Sequence, residues 1–404
     1  MKVRKEIWID PRQEGFCVSG GAHYLEPTGL KMERDYVTTC ASDRTSAVYR
    51  QVSDDNGRTW SEPEQLPQAV RHEGDTVIEF GTGTPVIVDA ERGVCIRFSR
   101  EIVMPGGQVL EGCKHRKIFY EVSRDNGATF GALKQLIEQG PEFDAGHYMK
   151  GVFDGQNSAT MGALLVLSRR EILLPVYIFP VDETGALYNP FGSYTFGDVG
   201  FLRGTLTEDA EDVAWETTQI IRVDPDLSIR GLDEPTLTRP SDGRILCICR
   251  GTHGARGDAT PGGSWVSVSS DEGRSWSAVR RLGYDDGGML YLPSSISHLI
   301  RHSSGKLYWI SNIVPAPAQG NSPRYPLTIA RINEESPSVI RESMTVIDTR
   351  QEGEAETLQL SNFSVYEDRE TGEIVVTLAR LFPQDPNDWT APCVKYALAL
   401  ADET

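Results

Sequence analysis

One eight-residue pattern recurs three times in this 404-residue chain and constrains its fold more than any other feature. It reads Ser-x-Asp-x-Gly-x-Ser/Thr-Trp/Phe and occupies residues 53–60, 123–130 and 269–276. Its Asp can accept hydrogen bonds from backbone N–H groups of its own turn, and its Gly can adopt a positive φ. No copy continues with the oxygen ligands and final bidentate Glu of a calcium loop. We therefore predict a structural hairpin turn rather than a site of chemistry.

The spacing of these turns predicts the number of repeats. The first and second copies start 70 residues apart, and the second and third start 146 residues apart. The second interval is about twice the first, so a degenerate copy is expected between them, and residues 206–215 fit it. Another worn copy starts at Ala330, and the C-terminal segment ends a sixth repeat. Four strands per repeat predict a six-bladed β-propeller whose ring is closed by the early segment 5–10.

Composition fits an all-β protein in which residues 1–404 form one propeller domain. The 58 acidic and 40 basic residues give a net charge of −18, which argues against a nucleic-acid surface. Neither an apolar run of about 18 residues nor a signal-peptide core is visible, so we expect a cytoplasmic protein without a membrane partner. The seven cysteines lack a Cys-x-x-Cys pair and are expected to be reduced. Cys247 and Cys249 are predicted to pack in the core.

A second hairpin in each repeat is predicted to bring reactive side chains to one rim of the channel. In the segment around Asp242, two apolar strands flank the turn Ser241-Asp242-Gly243. Glu234 and Arg250 are placed symmetrically about this turn and should meet at one end of the hairpin. The corresponding hairpins of other repeats are expected to contribute Arg100, Tyr177, Asn362, Phe363 and Arg380.

In the first repeat, the same symmetry pairs Glu26 with Ser42. This pairing predicts that four further polar residues lie beside Glu26 at the channel mouth: His23, Tyr24, Asp43 and Arg44.

This set of residues is typical of a site for an acidic sugar. Arginine forks bind a carboxylate bidentately, and two carboxyl groups in different environments can divide acid and base work. Each residue could instead cap its own hairpin, but convergence from several repeats favours a site for Glu234, Arg250 and Arg324. His298 and His302 lie in strand-like sequence, so no metal site and no cofactor are predicted.

The three Ser-x-Asp-x-Gly turns resemble the Asp-box, or BNR, repeat of the sialidase superfamily, in which the turn lies on the blade periphery away from the active site. The resemblance implies that Glu234 stands where a glutamate polarises the nucleophilic tyrosine. It also implies that Arg250 and Arg324 belong to a carboxylate-binding triad and that Asp43 is the acid/base. Two positions depart from the pattern. Leu25 stands in place of the first arginine of the triad, and Phe363 replaces the tyrosine and has no oxygen to attack with.

Three functions remain open. The first, which we favour, is an exo-acting glycoside hydrolase on a small saccharide or glycan end of sialic or uronic acid type, using Asp43 and Glu234, or Glu26 in place of either. The second is a lyase acting on a uronic acid sugar. The third is a non-catalytic carbohydrate-binding propeller that kept Arg250 and Arg324. The lyase would transfer protons through His23, His147, Tyr24, Tyr148 or Tyr177.

Overall fold

The protein is built almost entirely of β-strands. A computed structural model describes residues 1–10, 13–42, 44–67, 69–104, 115–192 and 196–400. Within these residues, 27 strands form six sheets, and helix is confined to two short 3₁₀ turns, Gly257–Ala259 and Arg341–Ser343. No helix in this described part of the chain is long and apolar enough to span a membrane.

Each sheet is one blade, and the strands within it are antiparallel and mostly consecutive in the chain. Blade one contains β2 (Cys17–Tyr24), β3 (Met32–Ala41), β4 (Arg44–Ser53) and β5 (Glu64–Leu66). Blade two contains β6 (Ala69–Glu73), β7 (Thr76–Asp89), β8 (Val94–Met104), β9 (His115–Ser123) and β10 (Lys134–Gln135). Blade three contains β11 (Ala159–Met161), β12 (Leu165–Val166), β13 (Glu171–Ile178), β14 (Asp198–Leu206) and β15 (Val213–Ile221).

The second half of the chain repeats this arrangement. Blade four contains β16 (Asp233–Thr238), β17 (Ile245–Arg250), β18 (Ser264–Ser269) and β19 (Arg280–Arg281). Blade five contains β20 (His298–Arg301), β21 (Leu307–Ser311), β22 (Leu327–Asn333), β23 (Ser338–Val339) and β24 (Thr345–Asp348). Blade six contains β25 (Ser364–Glu367), β26 (Ile374–Ala379), β27 (Cys393–Ala399) and the N-terminal strand β1 (Lys2–Ile9).

The six blades close into a ring around a central channel. The innermost strands contact one another, β16 with β20, β20 with β25, and β25 with β2. Strand β1 pairs antiparallel with β27, from Lys2 opposite Ala399 to Ile9 opposite Cys393. The predicted six-bladed β-propeller, closed by the early N-terminal segment, is therefore confirmed.

Repeated backbone bridges define one face of the ring. The segment leading into an inner strand bonds to the loop that joins the second and third strands of the preceding blade. Examples are Val18 N–H to the Ala391 carbonyl and Leu360 N–H to the Arg324 carbonyl. Leu232 N–H makes the corresponding bond to the Gly197 carbonyl. We name this face, where the inner strands begin, the upper face.

The Asp-box turns lie on the opposite, lower face and are held by their own hydrogen bonds. Asp55 accepts from the backbone N–H and the hydroxyl of Thr59 at 2.8 and 2.7 Å, and from the Ser53 hydroxyl at 2.8 Å. Gly57 has φ 75° and Asn56 before it has φ 61°, so two successive left-handed residues reverse the chain. The structural interpretation of this motif is confirmed.

Buried apolar residues fill most of the seams between blades, because alternate side chains of each strand point to its two neighbours. Among the described residues, such clusters join every pair of adjacent blades except one and two. Representative members are Ile96 and Trp215 between blades two and three, Leu173 and Trp276 between three and four, Leu246 and Trp309 between four and five, Ile310 and Leu378 between five and six, and Val18 and Tyr36 between six and one.

The six described cysteines are free thiols. Cys247 and Cys249 are fully buried on one face of β17, with their sulfur atoms 3.5 Å apart. Their predicted place in the core is confirmed.

Candidate functional site

The best-defined polar contact on the upper face joins Glu234 to Arg250 in blade four. Arg250 Nη1 donates to Glu234 Oε2 at 2.8 Å, as the hairpin symmetry predicts. The ladder between β16 and β17 is irregular between Asp233 and Thr236, and Glu234 has φ 40° there. A positive φ costs a non-glycine residue on the order of 1–3 kcal/mol and persists only where the surroundings enforce it. The irregular ladder thus holds the Glu234 carboxylate against Arg250.

Two arginines from different blades meet at Ser294. Arg250 Nε donates to the Ser294 hydroxyl at 2.8 Å, and Arg324 Nη2 donates to the Ser294 carbonyl at 3.0 Å. Arg324 Nη1 also reaches the Ser361 hydroxyl at 3.3 Å, so it links blade five to the start of blade six. The predicted convergence of Arg250 and Arg324 is therefore found, with Glu234 beside them.

Asp233 adds a second carboxyl group next to Glu234, and the sequence analysis missed it. Burial raises the pKa of Asp233, the negative charge of Glu234 raises it further, and Arg250 acts in the opposite direction. Burial lowers the pKa of Arg250, but the carboxylates of Glu234 and Asp233 outweigh this effect and raise it. Two adjacent carboxyl groups in different environments are the arrangement that can divide acid and base roles.

His298 and Phe363 form the wall between blades five and six. Their ring centroids are 5.3 Å apart, and Phe363 is only 2% exposed. Burial lowers the pKa of His298, although the charge of Glu234 acts to raise it, so the imidazole is neutral near pH 7. Asn362, directly before Phe363, has φ 55°. Phe363 thus lies at the predicted site, and His298 is a neighbour that strand periodicity did not reveal.

Blades two and three contribute the opposite wall. A cavity there is lined by Arg100, Arg116, Thr160 and Tyr177, among others. Burial raises the pKa of Tyr177. The negative charges of Asp233 and Glu234 raise this pKa further, whereas the positive charges of Arg116 and Arg100 lower it. Tyr177 lines this cavity from β13, which packs against β16, the strand of the carboxyl pair of blade four. Arg100 and Tyr177 were predicted, whereas Arg116 was not.

The prediction that Glu26 pairs with Ser42 is wrong. Strand β2 begins with Cys17 opposite Thr39 and ends with Tyr24 opposite Met32, so the turn between the strands spans residues 25–31. Glu26 lies inside this turn, at the lower face.

His23, Tyr24 and Leu25 lie at the lower face for the same reason. The Tyr24 hydroxyl donates to Asn56 Oδ1 of the first Asp-box at 2.6 Å. Burial and, to a smaller extent, the charge of Arg50 lower the pKa of His23 to about 4. None of these residues can join the upper-face site, and Leu25 cannot stand for an arginine there.

Two predicted residues near the upper face are occupied by other contacts. His147 stacks on Phe153 with ring centroids 4.3 Å apart, and its Nδ1 lies 3.1 Å from the Glu142 carbonyl oxygen. Arg380 is held by the carboxylates of Asp348 and Glu354. Tyr148, predicted as a possible partner of His147, is buried and donates to the Arg116 carbonyl at 2.6 Å.

Asp43 and the side chain of Arg44 lie outside the described residues, so their predicted roles stay predictions. His302 Nε2 lies 2.7 Å from the Gly372 carbonyl oxygen in a lower-face turn. Within the described ranges, no group of three or more His, Cys, Asp or Glu side chains could hold a metal ion.

Comparison with known proteins identifies the family and the fold. The sequence profile of the BNR repeat-like domain family matches residues 79–357, more than half of the chain. The NanB sialidase of Streptococcus pneumoniae has 15% identity and a TM-score of 0.59, covering 96% of this chain and 68% of its own. Comparison with curated proteins finds no match.

Two further solved structures cover both chains almost completely. The α-L-arabinofuranosidase Arb93A of Fusarium graminearum has 11% identity and a TM-score of 0.54, covering 98% of each chain. The α-L-arabinanase of Penicillium chrysogenum has 11% identity and a TM-score of 0.51, covering 96% of each chain. At these identities the likeness establishes the propeller fold.

Proposed function

The chain belongs to the BNR repeat-like domain family, as a divergent member of the sialidase superfamily, and we propose that it hydrolyses a glycosidic bond of an acidic sugar at an upper-face pocket formed around Glu234, Arg250 and Arg324. The observation that carries this proposal is the meeting of Arg250 and Arg324 at Ser294, directly beside Glu234. The glycosidase names of the structural neighbours are consistent with a hydrolase.

Anion binding is the first role of the pocket. The guanidinium group of Arg250 is held from two sides by Glu234 and Ser294, which fixes the direction of its remaining N–H groups. Pre-positioned guanidinium groups bind carboxylates with charge-assisted hydrogen bonds, which are stronger than neutral ones. We propose that Arg250 and Arg324 hold the carboxylate of a sialic or uronic acid.

Glu234 is the proposed base or nucleophile. Its charge acts on Tyr177 of blade three and His298 of blade five, and its carboxylate accepts a hydrogen bond from Arg250 of its own blade. Phe363 lacks the hydroxyl through which sialidases form their covalent intermediate, so a carboxylate must supply the nucleophile or activate water. We propose Asp43 as the partner that protonates the leaving group, with the protonated form of Asp233 as the nearest described alternative.

The products of the reaction test this proposal. The chain is incubated with uronic acid and sialic acid glycosides, and new reducing ends and absorbance from an unsaturated uronide are measured separately. We expect reducing ends without new absorbance. Glu234→Gln should lower the rate at least 100-fold, and Glu335→Gln on an exposed lower-face turn serves as the matched control.

Other outcomes favour the alternatives. An unsaturated product would indicate a lyase, for which Tyr177 is the tyrosine that faces the carboxyl pair. Sugar binding without any product would indicate a carbohydrate-binding propeller. An unchanged rate in Glu234→Gln would place the catalytic carboxylate elsewhere.

A further inference from the structure

A second pair of arginines faces the pocket from blade two. Arg100 on β8 is paired with Ile118 of β9, and Ile102 is paired with Arg116, so the two arginines are diagonal neighbours on one face of the sheet. Like charges on adjacent strands repel each other unless an anion lies between them. Glu79, on the neighbouring strand β7, supplies one carboxylate to the same cavity. Two guanidinium groups thus face one carboxylate there.

Arg116 has hydrogen-bonding capacity that its protein neighbours do not use. Its Nη1 donates to the Thr160 hydroxyl, and its guanidinium lies 5.0 Å from the centre of the Phe179 ring. Its Nε is buried and has no hydrogen-bond acceptor among the described residues. A buried charged donor without an acceptor is costly, and the described neighbours of Arg116 do not offset this cost.

The cavity has the size for one anionic group. Its volume is about 130 Å³, room for roughly four waters at about 30 Å³ each. This volume accommodates a sulfate or carboxylate group but not a second sugar ring in addition. Tyr177 lines the cavity from β13, and β13 packs against β16, the strand of Asp233 and Glu234, so a ligand held at Arg250 can extend past Tyr177 into the cavity.

We infer that Arg100 and Arg116 form a second anion site and that the sugar bound by this pocket carries two negative groups. The carboxylate of the sugar binds Arg250 and Arg324, and a sulfate ester or a second carboxylate binds Arg100 and Arg116. The inference rests on the proposed function for the position of the first carboxylate. It adds the requirement that the sugar carries two negative groups, one for each pair of arginines, and a singly charged sugar has only one.

Binding of three probes tests the second site. Glucuronic acid carries one charge, an O-sulfated glucuronic acid carries two on one ring, and a disaccharide of two uronic acids carries two on separate rings. We expect calorimetry to show at least 10-fold tighter binding of one doubly charged probe than of glucuronic acid. Whichever of the two gains affinity identifies the source of the second charge.

The variants Arg100→Gln and Arg116→Gln should reduce this ratio to within about 2-fold of unity. Arg274→Gln, at an exposed position of the lower face, should leave the ratio unchanged. An equal affinity of the unaltered chain for all three probes overturns the inference, as does a ratio that persists in both variants.

Failure of the proposed function gives a different result. If Arg250→Ala does not weaken glucuronic acid binding, the first site is wrong, whatever happens at Arg100. If no sugar binds, inorganic sulfate is titrated instead. Binding of sulfate that Arg100→Gln abolishes supports the second site on its own, and the absence of such binding overturns it.

Discussion

At the scale of residues, the site depends on a few charges that hold one another in place. Arg250 is in contact with Glu234 and Ser294, and its side chain is only 10% exposed. The neutral His298 and the apolar Phe363 lie next to these charges and reduce the access of water. In such surroundings a charge-assisted hydrogen bond to a ligand is stronger than in open solvent.

Arg250→Ala is expected to weaken the binding of glucuronic acid by roughly 10- to 100-fold. This range corresponds to the loss of one charge-assisted interaction, about 1.5–3 kcal/mol. Calorimetric titration measures the change. The matched control is Arg244→Ala in the same blade, where Arg244 pairs with Asp242 at 2.6 Å in a lower-face turn.

Arg250→Ala also removes the arginine paired with Glu234 and one of the two arginines that act on Asp233, so its melting temperature must be compared first. If the variant does not fold, Arg324→Ala tests the same carboxylate clamp, because Arg324 meets Arg250 at Ser294 and also contacts the Ser361 hydroxyl of the adjoining blade. A folded Arg250→Ala variant with unchanged affinity contradicts the acidic-sugar proposal.

The position assigned to each hairpin turn decided which site residues the sequence could place. The turn between β16 and β17 is short and centred on Asp242, so symmetry paired Glu234 with Arg250 correctly. The turn of blade one spans residues 25–31 and is marked by Pro27 and Gly29, but the prediction centred the hairpin midway between Glu26 and Ser42 instead. Residues brought in by neighbouring blades, such as Arg116 and His298, depend on tertiary packing that local symmetry does not contain.

At the scale of elements, the Asp-box shows why blade number could be predicted from sequence. The hydrogen bonds of its Ser and Asp side chains run within the turn, so these two residues are kept wherever the turn is kept. The degenerate copy in blade three has the corresponding hydrogen bond, since the Thr207 hydroxyl donates to Asp209 Oδ1 at 2.6 Å. The inter-strand register in the same blades depends on longer-range contacts and left a weaker sequence signal.

The Asp-boxes are expected to make the protein less stable as the pH falls from about 4 to 2. Hydrogen bonds from the turn lower the pKa of Asp55, Asp125 and Asp271 to about 2, below the usual value near 3.9. A carboxylate with a lowered folded-state pKa stabilises the fold above the unfolded pKa, and this contribution is lost as it protonates. Melting temperatures measured between pH 2 and pH 5 check the direction.

Replacing all three aspartates by Asn should lower the melting temperature at pH 5 and flatten its dependence on pH. Asp54→Asn, at the exposed position next to the first of them, is the control and should change neither. An unchanged pH slope in the triple variant would show that other carboxylates dominate acid unfolding.

At the scale of the whole molecule, the ring is held closed by β1, which comes from the opposite end of the chain from its partner β27. Lys5 on β1 also donates to Asp348 of blade five at 2.9 Å. Closure therefore joins the N-terminal strand to both of the last two blades.

Deleting residues 1–9 is expected to lower the melting temperature substantially, because it exposes the edge of β27 and removes the pair between Lys5 and Asp348. A circular permutant that begins at residue 13 and carries residues 2–9 after β27 should restore it. The permutation is geometrically allowed, since Lys2 and Ala399 are direct neighbours and a short hairpin can join them. A permutant as unstable as the deletion would show that β1 stabilises the ring in some other way.

The seam between blades one and two differs from the other seams in being polar. Glu33 and Asp35 of β3 share Arg50, whose Nε lies 3.1 Å from Glu33 and 3.8 Å from Asp35. Arg97 of blade two acts on Glu33 across the seam. Burial raises the pKa of Asp35, and Arg50 only partly opposes this effect. The contact with Arg50 thus offsets only part of the free-energy cost of burying the charged Asp35 carboxylate.

Asp35→Asn is therefore expected to raise the melting temperature at neutral pH, whereas Asp348→Asn should lower it. For Asp348, burial acts to raise the pKa, but hydrogen bonds from Tyr396 and Lys5 outweigh it, so the charged form is favoured in the fold. A carboxyl group whose pKa is raised in the folded state lowers the free energy of unfolding as the pH rises through that pKa. A carboxyl group whose pKa is lowered in the folded state lowers the free energy of unfolding as the pH falls. The Asp35 effect should shrink as the pH falls to 4, because this aspartate then becomes neutral like its Asn replacement, whereas the Asp348 effect should persist at pH 4, because the lowered pKa keeps Asp348 charged. Melting curves of the two variants at pH 7 and pH 4 distinguish them, and a destabilising Asp35→Asn would mean that its contact with Arg50 outweighs the cost of its burial.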